Sequence, residues 1–204
     1  MSDQQIPLCN IPLCVDLDGT LSKGDMTIES AYLLFRHKPA LFFKFLPILL
    51  KGKAPFKRKV AENTEIDPEN IPLNKDFLEY LKDEKKKGRK LLLVSASDEI
   101  LVRKVGDAIG IFDECIGSDG ERNLRSGNKR DYLVARFGEK GFDYAGNDAP
   151  DYKVWEAALH ALVVNASDSV AARAAEVSLV SHKFPPEKGQ IRSILKALRV
   201  HQWM

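Results

Sequence analysis

Cysteine is scarce in this 204-residue chain. Cys9, Cys14 and Cys115 are odd in number and show no metal-ligand spacing, so a reduced cytoplasmic setting fits better than a disulfide framework. No internal repeat is visible, and 204 residues of ordinary apolar content support one α/β domain with a modest insertion. The net charge of +2 gives no sign of a nucleic-acid partner. The start Met1-Ser2-Asp3-Gln4-Gln5 lacks both the basic residues and the long apolar region of a signal peptide. The apolar run from Ala40 to Leu50, interrupted by Lys44 and Pro47, is too short to span a bilayer. Acidic residues are absent from Ser30 to Ala61, while Arg36, Lys38, Lys44, Lys51, Lys53, Lys57, Arg58 and Lys59 are all basic. Two readings follow for that stretch: helices packed on the core with solvated lysines, or an interfacial surface near anionic lipid.

Carboxylates are placed with more purpose. In Leu13-Cys14-Val15-Asp16-Leu17-Asp18-Gly19-Thr20-Leu21, a short apolar run ends in two Asp residues separated by one position and a Gly-Thr turn. Residues two apart on a strand face the same way, so Asp16 and Asp18 can address one small volume beyond its carboxyl end. At about 4 Å such charges repel by about 4 kcal/mol at an effective dielectric of 20, so a nearby cation is expected. The string resembles the first signature, DxDGT, of the haloacid dehalogenase (HAD) superfamily, whose members are mostly magnesium-dependent phosphatases.

That resemblance implies three later motifs in order. The buried-strand pattern Arg89-Lys90-Leu91-Leu92-Leu93-Val94 ends at Ser95, which matches the second-motif hydroxyl and is expected to donate to a phosphate oxygen. Ser97 or Asp98 is expected to cap the following helix and leave Ser95 free. Lys129, in Gly127-Asn128-Lys129-Arg130 at a helix start, matches the third-motif lysine that offsets the site's negative charge. The fourth motif falls on Gly146-Asn147-Asp148-Ala149-Pro150-Asp151. It departs from the common Gly-Asp-x-x-x-Asp pattern because Asn147 stands where the metal-binding Asp is usual. Asn147 offers a carbonyl oxygen without charge, so the third metal ligand is left as Asn147 or Asp148. Asp151 is expected to orient a metal-bound water or Lys129 from behind.

The implied activity is a phosphomonoester hydrolase that uses Mg2+ and a small phosphorylated substrate. Asp16 is then the nucleophile that becomes an aspartyl-phosphate, and Asp18 the general acid and base, with its main-chain carbonyl on the metal. A dehalogenase needs no acid at position 18, and the superfamily's P-type pumps carry Thr there. The alternatives are a phosphomutase, or a weakly active or inactive HAD module that regulates or scaffolds a membrane prenyltransferase.

Strands are predicted near 12–17, 90–95, 113–117, 142–145, 160–164 and 177–180, with helices near 27–36, 39–51, 54–63 and 74–87. The fold class expected is α/β: a Rossmann-like HAD core with a parallel sheet, and a small helical C1-type cap. The core takes 1–24 and 75–190, the cap 25–74, and an amphipathic helix marked by Ile191, Ile194, Leu195 and Leu198 takes 191–204. That last helix, ending in Trp203-Met204, and the block Gly141-Phe142-Asp143-Tyr144-Ala145-Gly146-Asn147 resemble the HAD domain fused ahead of UbiA-type prenyltransferases. The resemblance implies a cytoplasmic protein, or one at the cytoplasmic face of a membrane, with such an enzyme or the lipid surface as partner.

Overall fold

A computed structural model describes residues 11–65, 71–119 and 122–186. The expected C-terminal helix, the Trp203 ending and Cys9 lie outside the described residues.

The apolar runs form six strands: β1 (Leu13–Val15), β2 (Leu91–Asp98), β3 (Glu114–Ser118), β4 (Asp143–Gly146), β5 (His160–Val164) and β6 (Leu179–Phe184). Eight α-helices accompany them among the described residues: α1 (Met26–His37), α2 (Pro39–Phe45), α3 (Lys53–Asn63), α4 (Lys75–Lys86), α5 (Glu99–Ile109), α6 (Gly127–Phe137), α7 (Tyr152–Ala157) and α8 (Asp168–Val177). The strands pair in parallel in the order β3-β2-β1-β4-β5-β6. The order reverses direction between β1 and β4, so the segments leaving those strands diverge and open a crevice beyond their carboxyl ends.

Because successive strand residues face opposite sides, the sheet carries two cores. Leu13, Val15, Leu91, Leu93, Leu162 and Val164 pack on one side with Phe77 and Leu81 of α4 and Leu101, Val102 and Val105 of α5. Cys14, Leu92, Val94, Tyr144, Ala161 and Val163 pack on the other with Leu133 of α6, Trp155 of α7 and Ala174 of α8. The result is the expected three-layer α/β architecture with both sheet faces covered.

At the end of the sheet away from the crevice, Arg89 locks three elements together. It donates to the Ile11 carbonyl at 2.9 Å and pairs with Glu84 at 2.8 Å and with Asp143 at the start of β4.

The insertion between β1 and α4 differs from its sequence reading in two ways. The stretch 39–51 is not one helix: α2 ends at Phe45 and a 3₁₀ segment, Leu46–Lys51, follows. Pro47, with no N–H to donate, falls at the start of that segment. Nor does this stretch rest on the main core. Leu34, Phe45 and Val60 form a separate small cluster, joined by Phe42, Ile48 and Phe56. The insertion reaches the main core through Met26, Ala61 and Ile71. It carries exposed apolar side chains: Ile28, Tyr32, Phe35, Phe43, Leu49 and Leu50 are exposed, and Leu50 is 92% so.

Candidate active site

β1 delivers Asp16 to the crevice: the Asp16 N–H still bonds to the Ala145 carbonyl of β4, at 3.0 Å, before the chain turns. The turn needs Gly19, whose φ is +78°; a Cβ there would lie 2.3 Å from the Asn147 amide nitrogen. Asn165 fixes the turn by donating to the Gly19 carbonyl at 2.9 Å, and the Thr20 hydroxyl donates to Asn147 Oδ1 at 3.1 Å. The first and fourth sequence motifs are thereby joined directly.

Lys129, buried at the start of α6, donates to Asp16 Oδ1 at 2.6 Å. Burial pushes the Asp16 carboxyl up to about 7 against the pull of Lys129, with the Asp151 and Asp18 charges adding to the rise. Burial alone would lower the Lys129 ammonium, but the Asp16 and Asp151 charges outweigh it and hold it above its ordinary value. Lys129 therefore keeps its proton, and Asp16 is the partner whose ionisation a further cation would favour.

Lys129 also donates to the Tyr144 hydroxyl at 2.8 Å, which donates in turn to Asp151 Oδ1 at 2.8 Å. Asp151 Oδ2 accepts from the Asn147 and Asp148 N–H groups at 2.9 and 3.3 Å. Among the described residues the hydrogen-bond link from Asp151 to Lys129 runs through Tyr144, a link with no signal in the sequence beyond an aromatic residue on a buried strand.

Asp18 is clasped from three directions. Its Oδ1 accepts from the Met26 N–H at 2.8 Å, and its Oδ2 accepts from Ser97 Oγ at 2.6 Å and Ser95 Oγ at 3.1 Å. Burial raises its carboxyl above the ordinary value, against the Ser97 and Met26 hydrogen bonds. The expectation of a free Ser95 needs correction: its hydroxyl also accepts from the Ser97 N–H at 3.0 Å. Of the two expected caps, Asp98 caps α5 through the Ile100 N–H, and Ser97 instead bonds to Asp18 in the site. Its position two beyond Ser95, on the same side of an extended chain, was the available signal.

Asp16, Asp18, Ser95, Lys129, Asn147, Asp148 and Asp151 all line one cavity of about 390 Å³. Asn147 and Asp148 are not equivalent in it. Asn147 packs against the Gly19-Thr20 turn, whereas Asp148 is exposed and its carboxylate caps the following turn through the Ala149 N–H at 2.7 Å. Among the described residues no three His, Cys, Asp or Glu side chains cluster tightly enough to hold a metal by themselves. The donors are instead oxygens of mixed kind. Asp16 Oδ2 and the Asp18 main-chain carbonyl accept no hydrogen bond among the described residues, and Asn147 Oδ1 accepts one, from Thr20. One carboxylate and two neutral oxygens suit a hard cation that keeps several waters.

The arrangement has solved counterparts. The chain superposes on a HAD family hydrolase, t0658, from Salmonella enterica serovar Typhi with a TM-score of 0.57 and 18% identity, over 87% of this chain and 68% of that one. It superposes on a substrate-bound phosphoserine phosphatase with a TM-score of 0.52 and 18% identity, over 92% of this chain and 98% of that one. The fold is that of the HAD hydrolases.

Within the HAD fold, the crevice between β1 and β4 is where Asp16 and Lys129 meet. No protein-family model matches the chain. In sequence it is 33% identical over 194 residues to the uncharacterised protein y4nM of Sinorhizobium fredii, over 95% of this chain but only 37% of that protein. The chain therefore spans little more than a third of the length of that relative.

Proposed function

We propose that this chain is a magnesium-dependent phosphomonoester hydrolase working through an aspartyl-phosphate on Asp16. The observation that carries this reading is the pair of carboxylates after β1 with opposite surroundings: Asp16 bound to an ammonium, Asp18 held by two hydroxyls and an N–H. Likeness in fold to a phosphoserine phosphatase supports it.

In this mechanism the Asp16 carboxylate attacks phosphorus in line, and the ester P–O bond breaks as Asp18 gives its proton to the leaving oxygen. Asp18 then takes a proton from water, which attacks phosphorus, breaks the bond to Asp16 and releases phosphate. The raised carboxyl of Asp18 suits the acid role, because a general acid must hold its proton near working pH. Lys129 fixes Asp16 for attack and, with Tyr144 and Asp151 behind it, resists displacement as charge builds. Asp16, the Asp18 carbonyl and Asn147 are the residues that would hold Mg2+, which supplies charge stabilisation at the phosphoryl oxygens. The α1–α3 insertion acts as the cap that excludes water, with Lys57 and Asp25 reaching the cavity from its side.

The test is phosphate release from a panel of small phosphomonoesters with and without Mg2+. Release that needs Mg2+ and falls more than about a thousandfold in Asp16→Asn supports the reading. Phosphate that stays on the product indicates a phosphomutase. No turnover with normal folding favours the scaffold role that the uncharged Asn147 suggests.

Exposed Phe35, Phe43 and Leu50 of the insertion are each followed in the sequence by an exposed base, Arg36, Lys44 and Lys51. We propose that this face rests on anionic lipid, which places the enzyme at the cytoplasmic side of a membrane. A longer protein that joins this hydrolase to a UbiA-type prenyltransferase would use such a surface.

A further inference from the structure

Two cations face the site without a partner. Lys57, half-buried on α3, and Arg125, exposed on the segment between β3 and α6, both line the cavity that holds Asp16. Neither side chain makes an ion pair or hydrogen bond among the described residues, although basic neighbours do. Arg58 pairs with Asp98 at 2.8 Å, Lys59 with Glu62 at 2.7 Å, and Lys129 is committed to Asp16. Asp25, the acid nearest the insertion side of the cavity, already accepts the Thr27 and Ile28 N–H groups as the cap of α1.

From this placement we infer that the substrate carries a second anionic group, a phosphate or carboxylate, on its leaving-group end, bound by Lys57 and Arg125. The inference rests on the hydrolase reading and extends it to substrate class. The scissile phosphoryl group is served by the residues proposed to hold Mg2+ while Lys129 offsets Asp16, which leaves Lys57 and Arg125 for the leaving-group end. They come from separate elements, the insertion and the core, so an anion between them would bridge the two and favour closure over the cavity. Arg125 offers a planar fork that matches phosphate or carboxylate, and Lys57 a mobile point charge.

The experiment compares kcat/KM for propanediol bisphosphate, its carboxylate analogue and propanediol monophosphate in wild type, Lys57→Ala, Arg125→Ala and Lys57→Glu. The wild type is expected to prefer the doubly anionic esters at least about tenfold, the value of one charged hydrogen bond. Either alanine substitution lowers that ratio about tenfold through KM, and Lys57→Glu lowers it further. The bisphosphate and carboxylate arms report which anion is read. An unchanged ratio, or an equal loss on the monophosphate, overturns the inference, because the cations would then serve the scissile group or none. If nothing is hydrolysed, calorimetric binding of propanediol bisphosphonate against the monophosphonate decides it separately. Preference for the bisphosphonate that both alanine substitutions abolish keeps the anion site while the hydrolase reading fails, and no preference removes the anion site as well.

Discussion

Asn147 is the residue at which this site departs from the signature it resembles, and its neighbourhood makes the departure testable. Its carbonyl oxygen accepts from Thr20 and its amide packs on Gly19, contacts that an aspartate of the same shape would keep. Asn147→Asp adds one negative charge to a set whose only charged donor is Asp16. Half-saturation by Mg2+ should fall on the order of tenfold, about 1.4 kcal/mol, in activity titrations or calorimetry. An unchanged or weaker affinity would place the metal elsewhere. The residues with a chemical signature in the sequence, Asp16, Asp18, Ser95, Lys129, Asn147 and Asp151, all come to one cavity. Those without one were hidden by their types: Tyr144 reads as core, Ser97 as a helix cap, and Lys57 as one solvated base among eight. What a side chain touches across 70 or more residues of chain, as Ser97 touches Asp18, leaves no local pattern.

At the scale of elements, apolar runs in the strands buried on both faces located β1, β2, β4 and β5 to within a few residues. β6 begins and ends later than its apolar start suggests, because this outermost strand continues as Ser181-His182-Lys183-Phe184 with mostly exposed side chains. No apolar run marks such a strand. The Arg89 cluster was equally silent, since it joins α4, β4 and the start of the chain's core through one guanidinium. It predicts acid sensitivity. Burial would raise the Glu84 carboxyl, but hydrogen bonds and charges from Lys87 and Arg89 hold it below its ordinary value of 4.5. A carboxyl lowered in the folded state stabilises the fold above pH 4.5 and loses that contribution as pH falls through its folded value. Glu84→Gln should therefore be less stable than wild type at neutral pH in urea titrations, with the difference shrinking below about pH 4.5. A constant difference at all pH values would remove the ion pair from the account.

For the whole molecule, the division is spatial: the sheet's far end carries Arg89, the crevice carries the candidate site, and the insertion carries both Lys57 and the exposed apolar side chains. No helix among the described residues is long and apolar enough to cross a membrane, and the lipid contact proposed above is one of the insertion's exposed side chains. Phosphatidylglycerol vesicles should retain the protein in sedimentation and phosphatidylcholine vesicles should not. Phe43→Asp with Leu50→Asp, or Lys44→Glu with Lys51→Glu, should abolish retention, and indifference to these changes would remove the lipid surface. The central claim concerns one bond, from Asp16 to phosphorus, and borohydride trapping during turnover reads it directly. Reduction of an acyl phosphate leaves homoserine, so peptide mapping by mass spectrometry should find homoserine at position 16 only when substrate and Mg2+ are both present. Phosphate release with an unmodified Asp16, or activity that survives Asp16→Asn, would contradict it.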